Sequence, residues 1–385
     1  VRYLFFSTIP FEHETIPDEK TIVRKNLFNN NVGNTFFFNA VVRSLLCKEN
    51  ELIRYKPGFD MDSCDAGILV HANSIRNGTA EWFENDYLTI KNSKIPFVLV
   101  SVGSDSDSNF ETHLEENVIR SIYRCYSLIL ERVPSIGVRG DMTKKILVEQ
   151  VGIPSDRIDV IGCPSLRYFG TGFRRFSGEY RHYCKEMKIA VNFTGYHYDN
   201  DEAVYLYQLL KEHPHSFVIF TDKVEAELLW YGTAVPVYRR HDLLPGAPDH
   251  FIMRENRARF SACQNKIMDM FRTFDFSIGS RIHQAVVALL SGCPAILIAH
   301  SSRVLEIAQH HNIPYILRSE LVQEQPSVEA LYYRACLGMR RFYDSYDEKL
   351  IEYTDFLQKN FLKVNPDFLF ASALKAKERY GNMKQ

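Results

Sequence analysis

The chain has 385 residues, 45% of them hydrophobic, more than a single core comfortably organises, so two domains are expected. With 46 basic against 47 acidic side chains the formal net charge is -1, which excludes a broad electrostatic nucleic-acid surface; any anion site must rest on a few local arginines. No apolar run reaches the roughly 18 residues of a membrane span, and no signal-peptide pattern opens the chain. Eight scattered cysteines without a CxxC read as free thiols in a reducing, cytoplasmic setting. The chain begins at Val1 rather than Met, which leaves room for a preceding leader or anchor.

In chain order, short apolar strands alternate with helices. "VRYLFFST" (1–8) reads as a buried strand and "TFFFNAVVRSLLC" (35–47) as a helix with its apolar face inward. "AGILVHA" (66–72), "PFVLVSVG" (96–103) and "SIGVRG" (135–140) are further strands, helices fall over 117–133 and 141–152, and "RIDVIGCPSL" (157–166) closes the series. Residues 167–187, rich in Gly, Arg and aromatics, lack clean periodicity and read as a connection. The pairs Arg174–Arg175 and Arg181–His182 there suit a packed hinge or contact with a lipid-linked substrate.

A second series follows: "KIAVNF" (188–193), a helix near 201–212, "SFVIFTD" (216–222), a helix near 223–231, "AVPVY" (234–238) and a helix near 256–272. Then come a strand at 274–278, the apolar helix "HQAVVALLSG", the strand "CPAILIA" and "IPYIL" (313–317). From about residue 326 the chain is amphipathic and helical. The expectation is an α/β fold with two Rossmann-like lobes, an acceptor-side lobe over residues 1–170 and a donor-side lobe over 188–325, joined by a connection at 171–187. A helical tail over 326–385 is expected to pack back on the first lobe.

The segment "FDFSIGSRIHQAVVALLSGCP" carries the strongest chemical signal. Gly279 allows a tight exit from a strand, Ser280 is placed to cap the next helix, and Arg281 and His283 stand at its start. Open α/β sheets bind ligands at such strand ends, and a helix N-terminus favours an anion. Arg281 offers a bidentate donor and His283 a group titrating near neutrality. The plain alternative is an Arg281 paired with a structural carboxylate and a His283 bonded to a buried carbonyl.

"SIGVRGD" (135–141) repeats the grammar and puts Arg139 where the two arginines could converge on one small dianion. Asn31, Gly33, Asn34 and Thr35 open a helix after a polar loop, and Ser104, Asp105 and Asp107 sit in a loop after a buried strand. Each group is placed to meet sugar hydroxyls, though ordinary capping and a solvated loop account for them equally.

Four segments, "NVGNTFFFNA", "SIGVRGDMTKKIL", "VIGCPSL" and "DFSIGSRIHQAVVALLSGCPAILIAHSSRVLEIAQHHNIP", together resemble the polysaccharide pyruvyl transferases. The resemblance implies a GT-B-like fold, no metal and no cofactor, with phosphoenolpyruvate as co-substrate. The product would be a pyruvate ketal on a terminal sugar of a polysaccharide or lipid-linked oligosaccharide, and the protein would meet membrane only peripherally through such an acceptor. It further implies that Arg139, Arg281 and His283, with Ser280 beside them, bind the donor, His283 also moving protons. Acceptor contacts would fall to Asn31, Gly33, Asn34, Thr35, Ser104 and Asp105. One departure is Asn34, where the family pattern N-x-G-D carries aspartate. Two other readings are open: a nucleotide-sugar glycosyltransferase using Glu306 of "HSSRVLEIA" for a ribose, and a non-catalytic glycan-binding relative.

Overall fold

The computed structural model describes the chain except residues 8, 12–17, 106–110, 176–178, 195–199, 237, 239, 241 and 369–385. Asp107 and the last part of the expected tail lie outside the described residues. The first lobe is built on β1 (Arg2–Phe5), β2 (Glu51–Arg54), β3 (Ala66–Val70), β4 (Phe97–Val100), β5 (Ile136–Val138) and β6 (Ile158–Val160). Four strands pair in the order β2-β1-β3-β4, all parallel. The β5-β6 pair extends them, because Val102, just beyond β4, bridges in parallel to Val138. Parallel neighbours require crossover helices, which cover both faces and leave β3 and β4 apolar along almost their whole length.

The second lobe contains β7 (Ile189–Asn192), β8 (Phe217–Ile219), β9 (Ala258–Arg259), β10 (Phe276–Gly279), β11 (Ala295–Ala299) and β12 (Tyr315–Leu317), in the order β12-β11-β10-β7-β8-β9. All these pairs are parallel too. Two parallel α/β sheets meeting across an interlobe site give a doubly wound architecture of the GT-B type.

Local differences from the sequence pattern have local causes. β2 was not foreseen: it is a four-residue edge strand, half-buried along most of its length, without a diagnostic alternation. No strand forms at 234–238 among the described residues; Val235 and Tyr238 are buried instead, and the Val235 amide bonds to Gly246 O. The sixth strand of this sheet comes from 258–259, inside the stretch that reads as helical, and the helix begins only at Gln264. Arg257 explains the early break, since its buried guanidinium donates to the carbonyls of Leu210, His213 and Ser216 and so holds the backbone beside β8.

A 32-residue helix, Val328–Lys359, runs across the molecule, about 48 Å at 1.5 Å per residue. Ser327 caps it, and a buried seam including Leu331, Ala335, Met339, Phe342, Tyr346, Leu350 and Tyr353 recurs every three or four residues. Its start packs on the second lobe, where the Tyr332 ring lies edge-on to Phe276. Its end packs on the first, where the Tyr353 hydroxyl meets Ser44 Oγ at 3.1 Å and Asn360 accepts the Ser135 amide at 3.1 Å. In the connection, Arg175 bonds to Asp347 and to the Tyr343 carbonyl of this helix, and Arg181 pairs with Asp275, so these arginines serve packing. All eight cysteines are free thiols. No described helix is long and apolar enough to cross a membrane.

Candidate active site between the lobes

The loops leaving the carboxyl ends of the two sheets meet. Asn30–Val32, ahead of the helix Gly33–Leu45, runs antiparallel to Thr221–Lys223: Val32 N bonds to Thr221 O, and Lys223 N to Asn30 O, each at 3.0 Å. Asn31 Nδ2 donates to Asp222 Oδ1 at 2.7 Å, while its own Oδ1 accepts the Gly33 amide.

Arg281 ends this chain of bonds. Its Nη1 and Nη2 donate to the two Asp222 oxygens at 2.9 and 2.8 Å, Nη2 also reaches Glu225 at 3.1 Å, and Nε donates to Phe193 O. Glu225 further accepts the Tyr238 hydroxyl and the amides of Thr221 and Asp222. Burial pushes the Glu225 carboxyl up and Arg281 pulls it back down; the guanidinium, held by two carboxylates, stays firmly charged. In this structure Arg281 therefore faces carboxylates, and its directional donors are in use. Ser280, also fully buried, accepts the Thr194 amide at 2.9 Å, and the residue that actually stands at the helix N-cap is Arg281.

The free cationic groups gather elsewhere, around His283. The imidazole lies on the Gly33 backbone so closely that a Cβ there would fall 2.1 Å from Nδ1, which explains a glycine at the start of that helix. Burial first, then the charges of Arg139 and Arg303, hold the His283 imidazole down to about 3. Its Nε2 is buried without a partner.

Arg139 is 2% exposed, its guanidinium 4.6 Å over the Phe37 ring. It donates through Nε to Ser101 O and through Nη1 to Asn73 Oδ1, leaving Nη2 unpartnered. Arg303 lies in the first turn of Ser302–His310, after β11, and its Nε is unpartnered, as is the Ser301 hydroxyl at the N-cap. Burial lowers the Arg303 pKa; Asp105 opposes this, and Arg139 and Arg76 add to it. Unspent buried donors, nearby like charges and a helix N-terminus together make a compact positive cluster that favours an anion.

The structure thus brings together Arg139, His283 and Gly33, with Asp105 as a counter-charge to Arg303. It draws Ser104 away: that residue is fully buried, and its amide donates to Thr143 Oγ1. Thr143 in turn bonds across the lobes to Glu306, its amide at 2.9 Å and its hydroxyl at 2.8 Å. Burial raises the Glu306 carboxyl to about 7 against the Thr143 bonds. Thr35 bonds back to Val32 O in local capping. Asn34 donates to Asn29 O and lines a cleft of about 810 Å³ in the first lobe. Arg303 is the residue the sequence reading passed over, although "AILIAHSSR" repeats the strand–serine–arginine order of "DFSIGSR".

No family model matches the chain, and no curated protein matches it. Among solved structures, the chain is similar to Anabaena Alr3699/HepE in complex with UDP and glucose, at 10% identity over 93% of this chain and 98% of that one, TM-score 0.48. It is also similar to S. aureus MnaA in its UDP co-structure, at 11% identity over 93% and 97% of the two chains, TM-score 0.46. For UDP-GlcNAc 2-epimerase from Neisseria meningitidis bound to UDP-GlcNAc the values are 12%, 99%, 99% and 0.42. These likenesses concern the course of the chain.

Proposed function

We propose that the protein transfers the enolpyruvyl group of phosphoenolpyruvate to a sugar and closes it as a pyruvate ketal. The observation that carries this reading is the buried positive cluster in which Arg139 and Arg303, each with an unpartnered guanidinium nitrogen, stand near His283. Phosphoenolpyruvate offers a carboxylate and a phosphate a few bonds apart, so two guanidinium groups and a helix start suit it. Arg281 acts from behind, holding Asp222 and through it the Asn31 loop on which His283 packs.

The chemistry closes without a cofactor. A sugar hydroxyl gives up its proton as its oxygen bonds to C2, and the C2–C3 π pair takes up a proton, so that C3 becomes a methyl group. A second hydroxyl of the same sugar then attacks C2, its proton leaves with the departing phosphate, and the ketal closes. His283, neutral in the free protein, is placed to relay a proton once the dianion offsets the arginines.

The competing nucleotide-sugar reading uses the same positive cluster for a diphosphate. Its ribose anchor, Glu306, is already bonded to Thr143. The test sets phosphoenolpyruvate against a panel of nucleotide sugars in thermal melts, followed by mass spectrometry of terminal hexosides incubated with the preferred donor. Stabilisation by phosphoenolpyruvate and a pyruvyl mass increment on the sugar are expected; stabilisation only by nucleotide sugars sinks the reading.

A further inference from the structure

The cleft in the first lobe reaches the buried cluster through shared residues. Phe37 and Asn73 line it, and both touch the Arg139 guanidinium. Its wall contains Trp82, which is 54% exposed although it is among the largest apolar side chains of the protein. The Arg76 guanidinium stands 5.6 Å from the Trp82 ring, so the indole is flanked by charge as well as open to the cleft. An exposed indole surrounded by side-chain amides is the surface that receives the C–H face of a pyranose while its hydroxyls bond at the rim.

Asp86, on the helix Ala80–Lys91, lines the same cleft. Its Oδ2 lies 3.3 Å from Nε2 of His71, which follows β3 two residues before Asn73. Among the described residues Asp86 has no other hydrogen-bond partner, so one carboxylate oxygen is unspent. Burial raises the Asp86 carboxyl and His71 lowers it. Cys125 and Tyr126, on the helix Glu116–Leu130 behind it, also feel its charge, and burial keeps both neutral.

We propose that this cleft holds a terminal pyranose of the acceptor against Trp82, and that Asp86, oriented by His71, accepts the proton of the attacking hydroxyl. In that step the sugar O–H bond breaks, the proton passes to the free Asp86 oxygen, and the oxygen electron pair forms the bond to C2 of phosphoenolpyruvate. The π pair of the donor meanwhile takes a proton at C3 from His283, protonated once the dianion is bound. Asp86 thus acts on the acceptor from the helix Ala80–Lys91, and Arg139 on the donor from the end of β5. The proton-transfer part rests on the pyruvyl reading; the sugar-binding part does not.

The experiment therefore has two arms. In a Trp230→Phe background, Trp82 is the remaining tryptophan, and its fluorescence is titrated with methyl hexopyranosides in the absence of donor. A saturable change, lost in Trp82→Ala, is expected; no change with any hexoside overturns the cleft assignment whatever the donor. In the second arm, Asp86→Asn should lower kcat about 100-fold or more, with phosphoenolpyruvate binding by calorimetry and the melting temperature unchanged. His71→Gln should move the acidic limb of the kcat/KM profile upward, because the group that lowers the carboxyl is gone. Wild-type turnover in Asp86→Asn overturns the base assignment. Sugar binding without phosphoenolpyruvate consumption overturns the pyruvyl reading, and Asp86's part in it, while the cleft stands.

Discussion

In the unliganded molecule the His283 imidazole is buried beside two guanidinium groups, and both conditions disfavour its protonated form. A dianion bound at Arg139 and Arg303 reverses the second of them. Donor binding is thus linked to proton uptake, and at mildly acidic pH the calorimetric heat of binding phosphoenolpyruvate should depend on the ionisation enthalpy of the buffer. His283→Gln and Glu306→Gln should each reduce that dependence and the double variant remove it, since the Glu306 carboxyl, near 7, also feels the incoming charge. Buffer-independent heats in the wild type count against His283 as a proton carrier. The sequence showed the imidazole at a helix start but not this environment, because Arg303 and Gly33 approach it from 20 residues downstream and 250 upstream.

At the scale of elements, the two arginines after adjacent strands have separate duties. Arg281 joins Asp222 and Glu225 and through them the loop bearing Asn31, whereas Arg303 keeps a donor unspent. Removing one side of a buried ion pair leaves the other uncompensated and costs about 3–5 kcal/mol. Arg281→Ala should accordingly lower the unfolding free energy by that amount, while Arg303→Ala should leave it nearly unchanged and abolish stabilisation by phosphoenolpyruvate. Equal loss of stability in both variants would refute the division.

The strand–glycine–serine–arginine order placed Arg281 at a strand end, and the structure puts it there. Which arginine meets carboxylates was not legible, since Asp222 and Glu225 belong to a helix start almost 60 residues away. Strands with continuous apolar runs, such as β4 and β11, were legible for the same reason that they are buried on both faces. The short edge strand β2 and the two-residue β9 owe their form to neighbours, and their own sequences carry little signal.

For the whole molecule, buried neutral histidines set the response to acid. Burial lowers His283 and His310 to about 3, and His311 well below its ordinary value. Their folded pKa values are depressed, so the unfolded chain binds protons first and stability falls as pH drops below the ordinary histidine value of about 6.5. Each contributes about 1 kcal/mol per pH unit in that window. Glu306 has the opposite sign: its folded pKa is raised, so it loses stability as pH climbs towards 7. Melting temperature against pH should decline steeply on the acid side, and Glu306→Gln should lift the alkaline side alone. A flat acid side would mean that these imidazoles are hydrated.

The long C-terminal helix bears on how the protein is made. The bonds of Ser135 to Asn360 join residues 225 positions apart, and those of Ser44 to Tyr353 span 309. A nascent chain therefore carries its first sheet out of the ribosome long before the segment that completes it exists. Until Phe356 is in place, the apolar floor around Gly137, where its ring packs, is open to chaperones. Completion of the first lobe thus waits on a segment made after the whole second lobe, although its own strands are synthesised earliest.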